Sequence, residues 1–193
     1  MSVNTIQLLT RAEHGLYRDH LLRLSPDDRR LRFCAPLDDD AIIEFVAGIS
    51  PRDTRIIARF DHRLAVIAAV QITVVKGPLA ELAVTVDEAE RGQGLATTLM
   101  GRALLWVGNR NIPRVRMHCL AENYAVVRRM ARRLGMSVSL HAGDSEAAIE
   151  LPPLTALSIA REFAAEQAGL WDYLFKTGLA SVTPGAPRLR PQP

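Results

Sequence analysis

Glu81 to Ala96 reads E-L-A-V-T-V-D-E-A-E-R-G-Q-G-L-A: an apolar strand pattern, an acidic turn, and a loop with Gly92 and Gly94 that runs directly into a helical pattern. That junction makes an anion cradle. The first backbone N–H groups of a helix have no intrahelical partners and carry partial positive charge, so a glycine-containing loop can bring several of them against a phosphate. Two familiar cradles are excluded by spacing. A P-loop needs Lys and then Ser or Thr after its last glycine, whereas Gly94 is followed by Leu95, Ala96, Thr97 and Thr98. A dinucleotide fold needs an acidic residue about 20 positions on, and no Asp or Glu occurs between Glu90 and Glu122.

The neighbours of the loop set its context. Leu79 to Val86 reads as a strand and Leu95 to Val107 as an amphipathic helix with Leu95, Leu99, Ala103 and Trp106 on its buried stripe. Arg114 to Leu120 alternates as a strand, and Asn123 opens a further helix that ends at Gly135. A strand, helix and strand in succession imply a parallel pair joined by a right-handed crossover. Upstream, Ile56 to Asp61 and Leu64 to Val75 are rich in β-branched residues and suit antiparallel strands. Ile6 to Leu9 and Ala148 to Leu151 supply a first and a final strand. Three helices are expected between the first strand and the sheet: Glu13 to Leu24, one capped by Ser25 with Pro26 at its first position, and one opened by Asp38, Asp39 and Asp40.

Arg91, Gly92, Gln93, Gly94, Leu95 and Ala96 fill the pattern Arg/Gln-x-x-Gly-x-Gly/Ala, which resembles the acyl-CoA pyrophosphate loop of the GNAT superfamily of N-acetyltransferases. The order of strands and helices around it is the order of that superfamily. The resemblance implies an α/β (α+β) fold: a mixed, mostly antiparallel sheet with a splayed parallel strand pair and flanking helices. It implies acetyl-CoA as cosubstrate, no metal, and main-chain amides of Gln93, Gly94, Leu95, Ala96 and Thr97 on the pyrophosphate, with Gly92 shaping the loop and Arg91 adding charge. From the same source, Val84 N–H serves the thioester oxygen, Val86 and Asn123 contact the pantetheine arm, and a bulge near Ala83 to Val86 aims the first of these amides. Glu81, at the start of the strand, takes the place of the glutamate general base; as a solvent-facing strand residue it would have no such role. A tyrosine that protonates the departing thiolate in many members is replaced here by Met130 and Ala131, with Tyr124 as a substitute.

Composition narrows the rest. At 193 residues and 48% hydrophobic, the chain can bury one core plus an appendage. Residues 1–152 are read as the acetyltransferase domain, 153–182 as a helical extension and 183–193, rich in Pro and Arg, as a disordered tail. The net charge is +3, yet the arginines are spread along the chain, and Arg128, Arg129, Arg132 and Arg133 are read as a solvated helix face; no nucleic-acid partner is expected. Cys34 and Cys119 have no metal-ligand spacing and suit reduced thiols. The five histidines, His20 among them, share no ligand spacing and are read as surface or packing residues. No stretch has the length of a membrane span, and a cytoplasmic location is expected.

The run L-L-R-L-S-P-D-D-R-R-L-R-F, Leu21 to Phe33, looks like the segment before the sheet in bacterial Pat-type protein lysine acetyltransferases. This resemblance implies acetyl transfer to a primary amine, first a protein lysine, with a small-molecule amine or a non-catalytic CoA-binding module as alternatives. The apolar helix Leu154 to Leu179, with Leu157, Trp171 and Phe175, is expected to pack on its own domain, the other readings being a lid on the acceptor cleft or a homodimer contact.

Overall fold

Local capping signals start two of the helices where the sequence marks them. The computed structural model describes residues 6–75, 78–141 and 144–182. After β1 (Ile6–Leu8), α1 spans His14–Arg23 and α2 spans Pro26–Phe33. The Ser25 hydroxyl accepts the Asp28 N–H at 3.2 Å, so the cap and Pro26 together begin α2. Asp38 does the same for α3 (Asp39–Ala47), accepting the Ala41 N–H at 2.8 Å.

Three strands then cross the molecule, β2 (Thr54–Phe60), β3 (Val66–Val75) and β4 (Leu79–Val86), and the Gly94 junction leads into α4 (Leu95–Gly108). β5 (Arg114–Leu120) returns parallel to β4, and α5 (Tyr124–Leu134) closes at Gly135, whose φ of 71° suits a glycine C-terminal cap. A hairpin, β6 (Ser137–His141) and β7 (Asp144–Glu150), precedes the long α6 (Ala156–Val182). The seven strands run in the order β1-β2-β3-β4-β5-β7-β6, and every neighbouring pair is antiparallel except β4 and β5. The mixed, mostly antiparallel sheet expected from the sequence is present.

Strand periodicity divides the core between the two faces of this sheet. Ala80 and Leu82 of β4 pack with Leu99, Met100, Ala103 and Trp106 of α4 and Val127, Met130 and Ala131 of α5. Tyr17 and Leu21 of α1, Ile42 and Val46 of α3 and Ile56 and Ala58 of β2 form the second cluster. Each buried aliphatic side chain contributes roughly 1.5–3 kcal/mol, so both faces hold the sheet firmly.

The parallel pair is short. β4 and β5 are in register only at Leu79 with Arg114, Ala80 with Val115 and Glu81 with Arg116; beyond that rung both strands continue unpaired with each other. A fork opens there.

Several expectations need correction. No bulge occurs in β4: its register with β3 is unbroken from Val75 with Leu79 to Ala68 with Val86, and the irregularity lies between Arg59 and Phe60 instead. The short strand β6 was not expected, because S-V-S-L-H gives only two apolar alternations and leaves Leu140 exposed. One face of α6 meets β1 and α4, with Asn109 and Arg110 bonding Glu162, but Trp171 is 70% exposed rather than packed. The tail assigned to residues 183–193 lies outside the described residues. Among the described residues no helix is long and apolar enough to cross a membrane.

Candidate functional site

Hydrogen-bond parity directs the amides of β4. Asp87 N–H donates to the Ile67 carbonyl at 2.9 Å, in register with the Ala68 and Val86 rung. In an antiparallel ladder the bonded residues alternate, so Glu81, Ala83 and Thr85 turn their backbone groups toward β3 while Val84 and Val86 turn theirs toward β5. Because pairing with β5 ends at Glu81, the Val84 and Val86 amides have no ladder partner on that side among the described residues. A regular strand ending at a fork presents these donors without any bulge.

The loop above the fork is shaped by two residues with positive φ, Gly92 at 81° and Gly94 at 80°. Only glycine adopts that conformation without strain, and a β-carbon built on either would meet nothing within 4 Å. The space stands open. Gly94 begins α4 without a side-chain cap, and the first main-chain bond back to its carbonyl comes from Thr98 N–H at 3.0 Å. The amides of Leu95, Ala96 and Thr97 are therefore the free donors of a 14-residue helix.

Loop and fork open into one cavity of about 620 Å³. Its walls include Val84, Val86, Arg91, Gly92, Gly94, Leu95, Ala96, Thr97 and Asn123. Two sequence-predicted residues stand outside it. Gln93 lies in the loop but turns its side-chain amide to Glu90, at 3.0 Å, so only its backbone is available. Glu81 occupies the last paired rung, and the Arg116 guanidinium donates to its carboxylate, Nε at 2.8 Å; the two side chains are 44% and 40% exposed.

Arg91 and Asn123 differ in detail from expectation. Arg91 reaches across to α2, where its guanidinium lies 2.6 Å from Asp28 Oδ2. Burial raises the Asp28 carboxyl, but the Ser25 hydroxyl and Arg91 outweigh it and hold the group below its ordinary range. Arg91 thus ties the loop to α2 before any ligand arrives. Asn123 precedes α5 but makes no side-chain cap bond, so its amide faces the cavity without a helix-capping duty.

Sequence reasoning missed one wall of the cavity. Leu24, Asp28, Leu31 and Arg32, from the end of α1 onward through α2, close the side opposite α5, and the paired contacts of Arg30 with Glu122 at 2.5 and 2.7 Å join α2 to the residues before α5. Arg129 and Arg133, read from sequence as part of a solvated face, also line the cavity. Tyr124 does not. The Cys119 thiol is buried and donates to the Ser145 carbonyl at 3.3 Å, in keeping with a core thiol. Among the described residues no three His, Cys, Asp or Glu side chains are grouped to hold a metal.

A polar cluster backs β4 on its α1 side. His20, fully buried, has Nε2 2.8 Å from Thr85 Oγ1 and Nδ1 2.8 Å from Asp87 Oδ1. Arg23 donates to Asp87 Oδ2 at 3.1 Å. Burial raises the Asp87 carboxyl, but His20 and Arg23 outweigh it and leave the group below its usual range. The only hint in the sequence was a threonine within an otherwise apolar strand end and a histidine on an apolar helix stripe.

Comparison with known proteins identifies the family and the fold. Residues 5–136 match the sequence profile of the Acetyltransferase (GNAT) family. Among solved structures, the GNAT domain of S. lividans PAT is similar at a TM-score of 0.64 and 20% identity, over 76% of this chain and 89% of that one. Spermidine N-acetyltransferase from Vibrio cholerae, in complex with CoA and spermine, is similar at a TM-score of 0.62 and 20% identity, over 77% of this chain and 95% of that one. A putative acetyltransferase from Acinetobacter baylyi gives a TM-score of 0.64 at 16% identity, over 80% of this chain and 96% of that one. No curated protein matches the chain in sequence.

Proposed function

This chain belongs to the GNAT family of acetyltransferases, acyltransferases that take their acyl group from acetyl-CoA, and from that premise we propose that it acetylates the side-chain amine of a protein lysine. The observation that carries the reading is the single cavity shared by the open loop amides, the fork amides and α2. The amides of Gly94 to Thr97 receive the pyrophosphate, Arg129 and Arg133 add positive charge on the α5 side, and the pantetheine arm runs down the fork past Val86 and Asn123. The thioester oxygen then meets Val84 N–H, a donor fixed in the sheet before the reaction begins.

The walls favour one ammonium on a peptide over a polycation. Four arginines, Arg32, Arg91, Arg129 and Arg133, line the cavity against two carboxylates, Asp28 and Glu90, and each of those is already engaged, by Arg91 and by Gln93. A polyamine such as the spermine in the Vibrio cholerae complex carries several ammonium groups, which free carboxylates rather than guanidinium groups would hold. It finds few here. Glu81, on the last paired rung where the fork closes, takes the first proton of the incoming ammonium, directly or through water, once Arg116 yields the carboxylate, and so supplies the neutral amine.

An acceptor panel of lysine peptides and of spermidine and spermine, read by release of free thiol from acetyl-CoA, tests this. Turnover with peptides and none with polyamines is expected. Turnover confined to polyamines would replace the proposed acceptor.

A further inference from the structure

Resting on the acetyl-transfer reading, we propose that Thr85 is a catalytic residue of this site and that His20 and Asp87 position and charge it, so that the proton of the acceptor amine leaves through Thr85 to His20. Two distant segments build the arrangement: α1 supplies His20, and the end of β4 supplies Thr85 and, one residue past the strand, Asp87. Their contacts are 2.8 Å on each side of the imidazole, and the ring is wholly buried.

Chemistry fixes the direction of these contacts. The Asp87 carboxylate oxygen lies 2.8 Å from Nδ1, a charge contact short of hydrogen-bond geometry, and in the neutral ring it favours the proton on Nδ1, with the Nε2 lone pair facing the Thr85 hydroxyl. Thr85 then donates to His20, and its own oxygen lone pairs remain for another donor. Thr85 is part of the cavity wall, next along the strand from Val84 and on the side shared with Leu24 and Leu31. An amine entering along α2 therefore meets the hydroxyl beside the thioester carbonyl. The charged and titratable groups facing the imidazole are Asp87, beyond β4, and Tyr17, whose ring centroid is 6.5 Å away on its own helix; Arg23 meets Asp87 from the other side.

The step balances. The amine nitrogen attacks the acyl carbon, the new N–C bond forms, the C–S bond breaks and its electron pair leaves on sulfur. The nitrogen proton passes to Thr85 Oγ1 while the Thr85 proton passes to His20 Nε2, and Asp87 stabilises the imidazolium. The imidazolium then returns a proton through Thr85 to the thiolate, a route that serves a chain whose α5 carries Met130 and Ala131 where many relatives carry a tyrosine acid.

The test begins without any acceptor. Imidazole ¹⁵N NMR of the protein should show the neutral form of His20 protonated at Nδ1 with Nε2 bare; a proton on Nε2 in that form would overturn the proposal. Calorimetry and thiol-release kinetics on Thr85→Val follow. Acetyl-CoA affinity should stay within about two-fold while kcat falls about 100-fold, the low end of general acid–base assistance, and Thr85→Ser should recover most of it. Turnover of Thr85→Val equal to wild type with an unchanged pH profile, or a loss confined to acetyl-CoA binding, would remove Thr85 from the chemistry. Failure of the wild type to bind acetyl-CoA would instead remove the acetyl-transfer reading itself.

Discussion

The carboxylate at the fork and the imidazole behind the strand stand at opposite extremes of solvation. Glu81 and Arg116 have side chains 44% and 40% exposed, and such a pair in water is worth about 0.2–1 kcal/mol, so it forms and opens readily. His20 is wholly dry, with Thr85 Oγ1 and Asp87 Oδ1 each 2.8 Å from a ring nitrogen. In that setting a hydrogen bond is stronger and an unmade one costs far more. An adaptable carboxylate suits capture of a mobile ammonium, whereas a fixed relay suits proton transfer at a defined atom. The two regions divide the work.

The largest effect that separates them is expected from Asp87→Asn. It leaves the buried Nδ1 facing a poorer acceptor, at a cost on the order of 1–3 kcal/mol in urea unfolding at pH 7. The loss should itself depend on pH. The folded carboxyl lies below its ordinary value, so its stabilisation is present above about pH 3.9 and fades as pH falls through the lower folded value. Unfolding curves of wild type and Asp87→Asn should converge toward pH 2; a constant gap would deny the carboxylate any special pairing.

Next comes Gly94→Ala. A side chain at a φ of 80° adds about 1–2 kcal/mol of strain, and the new methyl occupies space open to the ligand. Calorimetry should show acetyl-CoA bound about ten-fold or more weakly, roughly the equivalent of 1.4 kcal/mol. Undiminished affinity would dissociate the cradle from the ligand. Glu81→Gln should leave that affinity alone and lower kcat about ten-fold, less than Thr85→Val, since general-base help of about 10²–10⁴ is assigned chiefly to the buried side. A larger fall than that of Thr85→Val would reverse the division. The smallest change is expected from Arg116→Ala, below about 1 kcal/mol in stability.

The legible parts of this molecule were those whose cause is local. Gly92 and Gly94 announce positive φ, Ser25 and Asp38 announce caps, and the run from Leu79 through Leu120 announces the crossover that makes the fork. Contacts between distant segments left little trace. His20 and Thr85 are 65 positions apart and Arg30 and Glu122 are 92 apart, so neither the relay nor the α2 wall has a periodicity to reveal it. Arg129 and Arg133 were hidden for a different reason: an exposed basic helix face and a ligand-facing one have the same spacing until a neighbouring strand diverges. The bulge expected in β4 proved unnecessary, because ending the β4–β5 pairing frees alternate amides by itself.

The most direct measurement is an acetyl-CoA titration of the wild-type protein followed by amide ¹H–¹⁵N NMR. Saturable shifts should be largest at Val84, Val86 and Gly94 to Thr97, the open amides of the fork and of the start of α4. Absence of saturation, or shifts centred on any other part of the sheet, would contradict the assignment of this cavity to the coenzyme.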